Sequence, residues 1–241
     1  MAKKSKIFNF KQFSIKQDKA AMKVGTDGVL LGAWCSVEDK FQVLDIGTGT
    51  GLIALMIAQR NKKAQITAID IDKAAVTQAN ENFKSSIWSD RLTALKVDLN
   101  DFKPSHKFDL IVCNPPFFKS NTSISDKSRK IARQAEYLTL DDLMCFSNKY
   151  LSENGQIAIV YPSNDFLNKV TFSTNYQLIM SKLCYIYPNS FSSVPKRVLL
   201  EYSKMKASLK NVVADKLTIE HKRHEYTKDY VSLTQDFYTI F

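Results

Sequence analysis

Residues 42–60, QVLDIGTGTGLIALMIAQR, limit the fold more than any other stretch of the chain. A short apolar run, QVLDI, enters a turn with glycine at 47, 49 and 51, and the turn opens into LIALMIAQR at helical density. A buried strand that passes to a helix through glycines is the start of a parallel βα unit. The rhythm continues downstream. QITAID (65–70) reads as a strand and DKAAVTQANENF (72–83) as a helix, with Asp72 as its N-cap and Ala75, Val76, Ala79 and Phe83 on one face. RLTALKV (91–97), FDLIVC (108–113) and QIAIVYP (156–162) read as further strands. LTLDDLMCFSNKYL (138–151) reads as a helix stopped by Asn154-Gly155. The pattern predicts an α/β fold with a doubly wound, mostly parallel sheet. LIMSKLCYIY (178–187) and RVLLEYSK (197–204) have no clear helix between them and predict an antiparallel hairpin at the sheet edge.

Only seven glycines are present, and six precede residue 52, in clusters at 25, 28, 32 and at 47, 49, 51. Glycine tolerates positive φ and lets backbone approach a ligand, so a ligand site is expected in the N-terminal third. The turn DIGTGTGL is not a dinucleotide fingerprint, because the third position of G-x-G-x-x-G is Leu52. It also begins with Asp45, a poor neighbour for pyrophosphate. A carboxylate there suits a ligand with a cationic amino group, which S-adenosylmethionine has. Asp70, ending the next strand, can accept from ribose hydroxyls. Asp98, in Val97-Asp98-Leu99, can accept from an adenine amino group. Each acid alone is equally a cap or turn residue; together they outline an adenosyl ligand.

The net charge is +10 and the pI near 9.3, which suits a polyanionic partner or a lysine-rich solubilising surface. The segments 1–24 and 119–136 are basic. Of the four cysteines, Cys113 and Cys145 read as core thiols, and their spacing fits neither a zinc site nor a disulfide framework. His221 and His224 read as part of a solvated charged turn rather than a metal site. No apolar run reaches the length of a membrane span, so the expectation is a cytoplasmic protein that binds no membrane.

Residues 43–118 resemble a class I S-adenosylmethionine-dependent methyltransferase. Asp45, Gly47, Gly49 and Gly51 match its first motif, Asp70 its ribose-binding acid and Asp98, with Leu99 beside it, its adenine-binding position. Asn114-Pro115-Pro116-Phe117 matches the motif of methyltransferases that act on planar exocyclic or amide nitrogens. The resemblance implies a Rossmann-like, seven-stranded sheet and the cofactor S-adenosylmethionine, released as S-adenosylhomocysteine, with no metal. It also implies catalytic roles for Asn114, Pro115 and Phe117, and places Asn114 among the cofactor-binding residues as well. Asn114 and the Pro115 carbonyl would accept the two N–H bonds of the target amine, and Phe117 would stack on the base. Residues 10–34, FKQFSIKQDKAAMKVGTDGVLLGAW, are similar to bacterial tRNA adenine-N6 methyltransferases that modify valine tRNA beside the anticodon. That match adds Lys23, Gly25, Thr26 and Asp27 to the cofactor side. It implies tRNA as partner, no obligate protein partner, and one domain over 1–241 in which 1–34 closes the cofactor site. Lys119, Arg129, Lys130 and Arg133, on a flexible basic loop at 119–136, are candidate RNA contacts. Two positions depart from the family: Gln17 stands where histidine is common, and Phe117 where tyrosine is. A release-factor glutamine methyltransferase, a DNA adenine methyltransferase and a non-catalytic RNA-binding module are the alternatives.

Overall fold

The computed structural model describes residues 7–115, 138–166, 176–204 and 212–241. Short strands β1 (Ile7–Asn9) and β2 (Ser14–Lys16) form an antiparallel ribbon. Helix α1 (Thr26–Trp34) leads to the parallel core: β3 (Gln42–Ile46), α2 (Leu52–Arg60), β4 (Gln65–Asp70), α3 (Lys73–Lys84) and β5 (Leu92–Lys96). Then come β6 (Phe108–Cys113), α4 (Leu140–Tyr150), β7 (Leu151–Pro162) and the single turn α5 (Ser163–Phe166). The chain ends with β8 (Leu178–Asn189), β9 (Arg197–Lys204), β10 (Ala214–Lys222), β11 (Glu225–Tyr226) and α6 (Lys228–Thr234).

Strands β3 to β11 form one sheet in the order β11-β10-β8-β9-β7-β6-β3-β4-β5. Alternate strand residues feed two cores, as the two-residue period of a strand requires. Val43, Ile66, Leu110, Val112 and Val160 meet the apolar faces of α1, α2 and α3. Leu44, Ile46, Ile111, Cys113 and Ile159 meet Leu143, Met144 and Phe146 of α4. Both faces are covered, which is why these strands read as continuous apolar runs.

From β3 the chain winds outward through β4 and β5, then returns to the other side of β3 for β6 and β7. The direction of winding therefore reverses between β3 and β6. At that point the carboxyl ends of two neighbouring strands separate and leave a crevice. Ile46 pairs with Cys113 there, so the glycine turn and Asn114 emerge side by side.

Some expectations need correction. The 178–204 hairpin is inside the sheet rather than at its edge: β9 sits between β7 and β8, and β10 and β11 extend beyond the seven strands expected. Asn154-Gly155 does not stop a helix. Helix α4 ends at Tyr150, and the pair sits within β7, where the register against β6 shifts. A Cβ at Gly155 would stand 2.7 Å from the Phe108 carbonyl, so close backbone approach explains the glycine. Cys145 is exposed, because α4 turns Leu143, Met144, Phe146 and Ser147 inward. Among the described residues, no helix is long and apolar enough to cross a membrane.

Candidate active site

The turn after β3 is held by backbone. The Gly47 and Thr48 amides donate to the Ile69 carbonyl at 2.9 and 3.1 Å. The three glycines have φ of +69°, +55° and +82°, a region costly for other residues. Their surroundings separate their roles. A Cβ on Gly47 or Gly49 would meet nothing within 4 Å, so this backbone faces open crevice. A Cβ on Gly51 would lie 2.5 Å from the Phe83 ring, so Gly51 lets α3 pack against the start of α2.

Asp45 is fully buried. Its Oδ2 accepts from the Thr48 hydroxyl at 2.7 Å, and its Oδ1 has no partner. Burial pushes the carboxyl up to about 7 against the Thr48 hydrogen bond and the nearby Ala54 amide, and Asp70 adds a little more. A buried carboxylate oxygen without a partner is costly unless a donor or cation arrives. Asp70 is half-buried; one oxygen accepts from the Gly49 amide and the other from the Asp72 amide, both at 2.9 Å. It therefore fixes the glycine turn as well as ending β4. Asp98 follows β5 and accepts from the Asn100 amide at 2.8 Å, and Leu99 is buried beside it. Cys113 lies below the crevice with its thiol pushed well above the ordinary range by burial, then by Asp45 and Asp70. It stays protonated and is no nucleophile.

The N-terminal segment reaches this site through buried amides. Asn82 accepts from the Lys16 amide and donates to the Lys16 and Thr50 carbonyls, each at 2.9 Å. One side chain thus joins β2, α3 and the glycine turn. Gln78 accepts from the Lys19 amide at 2.9 Å. Gln17 accepts from the Val24 amide at 2.9 Å and closes the loop that leads to Gly25. Gly25 caps α1 with extended backbone, Lys23 and Thr26 are exposed, and Asp27 pairs with Arg197 of β9 at 2.7 Å. A Cβ on Gly28 would lie 3.7 Å from the Asn114 amide nitrogen, so α1 passes directly beside Asn114. Asn114 is half-buried and Pro115 buried at the end of β6. Phe117, Lys119, Arg129, Lys130 and Arg133 lie outside the described residues.

Comparison with known proteins decides the family. A tRNA1(Val) (adenine(37)-N6)-methyltransferase of Flavobacterium psychrophilum is 44% identical over 96% of this chain and 99% of its own. The protein of the same name from Phocaeicola vulgatus is 43% identical over 96% and 97%. The chain belongs to the tRNA1(Val) (adenine(37)-N6)-methyltransferase family. A family model described as Methyltransferase small domain matches residues 29–177. Among solved structures, a predicted O-methyltransferase of Agrobacterium tumefaciens superposes with a TM-score of 0.65 over 88% of this chain and 96% of its own. At 16% identity that match speaks for the fold.

Within this family framework, the sequence reading missed several residues. Gln17, noted only as a departure, is a backbone acceptor. Gln78 and Asn82 were overlooked, although they lie among Ala75, Ala79 and Phe83 at helical spacing on the buried face of α3. Amides on an apolar face are a usable signal, because buried amides require partners. Arg197 has no local signal, since its partner Asp27 is remote in sequence. Ile71, 53% exposed beside Asp70, places an apolar surface at the end of β4. Among the described residues no cluster of His, Cys, Asp or Glu could hold a metal ion.

Proposed function

We infer that this chain transfers a methyl group from S-adenosylmethionine to the N6 amino group of adenine in tRNA, at adenosine 37 of a valine tRNA. The observation that carries this reading is near end-to-end similarity to relatives with that printed activity. The crevice supports it, because its residues fit the cofactor. The unpartnered Asp45 oxygen suits an ammonium group, and the open backbone at Gly47 and Gly49 can lie against a ligand.

When bound, S-adenosylmethionine supplies an electrophilic methyl group on a sulfonium. Asp45 holds the amino acid end, with Lys23, Gly25, Thr26 and Asp27 along the same side. Gly47, Gly49 and Gly51 shape the turn beneath. Asp70 keeps lone pairs for the ribose hydroxyls, and Asp98 and Leu99 bound the adenine. Asn114 and the Pro115 carbonyl accept the two hydrogens of the target amino group. The target lone pair, delocalised in the free base, would thereby be directed at the methyl carbon; the N–C bond would form as the C–S bond breaks, leaving S-adenosylhomocysteine, and the surplus proton on nitrogen would then pass to water. Positioning and fixed dipoles account for the rate, with no general base required. Phe117 stacks on the target base, and Lys119, Arg129, Lys130 and Arg133 contact RNA phosphates. Residues 1–241 act as one domain, with 1–34 closing the cofactor site; the bonds of Gln17, Gln78 and Asn82 support this. The substrate puts the reaction in the cytoplasm, and no protein partner is needed.

The purified chain is tested with labelled cofactor on tRNA from cells lacking the protein, with duplex DNA and a release factor as parallel acceptors. N6-methyladenosine in digested tRNA is expected. Transfer to either other acceptor, with none to tRNA, refutes the reading.

A further inference from the structure

Two turns at the carboxyl edge of the sheet stand apart from this site: residues 189–196 between β8 and β9, and 222–225 between β10 and β11. Strand pairing places them. Both β7 and β8 are antiparallel to β9, so both run with β6, and β10 runs with β8. Asn189 and Lys222 therefore end at the same edge as Asn114. With neighbouring strands about 4.8 Å apart, β8 lies about 14 Å from β6 and β10 about 19 Å.

The two turns are fastened together. The Ser190 amide donates to the Glu220 carbonyl at 3.0 Å, and the Ser190 hydroxyl lies 3.0 Å from His221 Nδ1. The first turn is also ordered within itself: Asn189 Oδ1 accepts from the Phe191 amide at 3.1 Å and the Ser192 hydroxyl at 3.0 Å. On this frame Phe191 is 84% exposed, with Val194 beside it also in water. Phe191 and Val194 together make a small exposed apolar patch on a turn held in place by its own hydrogen bonds. Lys196, Lys222 and Arg223 are exposed on the same two turns, with exposed His221 just before the second. Of the nearby acids, Glu225 pairs with Lys222, and Glu220 accepts from the His224 amide.

We propose that these two turns dock RNA. Phe191 stacks on an unpaired base of the loop that carries the target adenine, and Lys196 and Arg223 neutralise its phosphates. The proposal rests on the tRNA reading above and names a surface for it. An exposed ring on turns that also carry exposed cations is the pairing that single-stranded nucleic acid sites use. A protein interface depletes charge at its apolar centre, and here the two turns carry three exposed cations beside Phe191 and Val194 alone.

Steady-state kinetics on hypomethylated tRNA test it. Phe191→Ala is expected to raise the KM for tRNA about tenfold, with cofactor affinity unchanged, and Phe191→Trp to restore it. The double variant K196A/R223A should make the log–log dependence of binding on salt shallower by about 1.5. If the wild-type chain methylates tRNA and both variants match it, the surface is wrong and the function stands. A change in oligomer mass with an unaltered tRNA KM also overturns it, in favour of a protein interface. A wild-type chain that transfers nothing to tRNA removes the functional reading itself, and the proposal with it.

Discussion

The two sides of the sheet build one edge by different means. On the β3–β5 side, strand ends are set by backbone: left-handed glycines, amides bound to Ile69 and Asp70, and buried Asn82 and Gln78. On the β8–β11 side the edge is made of turns that carry exposed side chains, Phe191 and a set of cations. A small, constant ligand is met by fixed main chain and by carboxylates already buried or hydrogen-bonded, which add little side-chain entropy to its binding. A large polyanion is met by long side chains, which adapt to phosphates. Asn114 stands between the two regimes, at the crevice where the winding reverses.

Removing Asn114 should break the connection between the sides and leave each intact. Asn114→Ala is expected to lower kcat by about 100- to 1000-fold, with tRNA affinity retained and cofactor affinity changed far less than kcat. Single-turnover transfer alongside calorimetric titration checks this, and unchanged turnover refutes the assigned role. The next effect belongs to the backbone-set side. Asn82→Ala deletes three hydrogen bonds and strands the Lys16 amide, for a loss of about 2–4 kcal/mol in urea unfolding and a weaker cofactor site. A loss of stability with cofactor affinity unchanged would disconnect the N-terminal segment from the site.

Glycine substitutions sharpen the comparison within that side. Gly51→Ala combines left-handed strain with collision against Phe83 and should cost about 2 kcal/mol of stability. Gly49→Ala meets no neighbour, so it should cost about 1 kcal/mol and act mainly on cofactor affinity. Equal effects of both on stability would erase the distinction drawn between them.

The smallest expected effect is on pH. Burial raises Asp45 to about 7, so the folded chain holds that proton more tightly than the unfolded chain. Stability therefore falls as pH rises from about 4 to about 7. An ammonium group prefers the ionised carboxylate, so cofactor affinity should rise several-fold between about pH 6 and about pH 8. Asp45→Asn should flatten that profile, and an unchanged slope would show that Asp45 does not meet the ligand.

Legibility in the sequence divides along the same line as the structure. The parallel core was readable because buried strands and amphipathic helices have local periods, and the turn at 47–51 because glycine marks unusual φ. The bonds of Gln17 and the pair Asp27–Arg197 were not readable, since each partner is chosen by the fold and no period signals it. Asn154-Gly155 misled because glycine serves close packing in a strand as readily as the end of a helix. The extension by β10 and β11 was missed because ADKLTIEHK is largely polar, as befits strands near an edge that bury little of themselves.

The attachment of the N-terminal ribbon has a consequence for the order of assembly. Phe10 bridges to Tyr238, the Lys11 amide donates to the Phe237 carbonyl at 2.8 Å, and Phe13 packs on Trp88. Phe10 and Lys11 therefore bond to residues translated long after the crevice strands β3 and β6. A ribosome-bound chain can complete the crevice at β3 and β6, with Lys16 and Lys19 already bonded to Asn82 and Gln78, and still lack the contacts of Phe10, Lys11 and Asp27 with later residues. Those contacts wait for Arg197, Phe237 and Tyr238 to emerge, so a chain halted before them holds its N-terminal ribbon from one side alone.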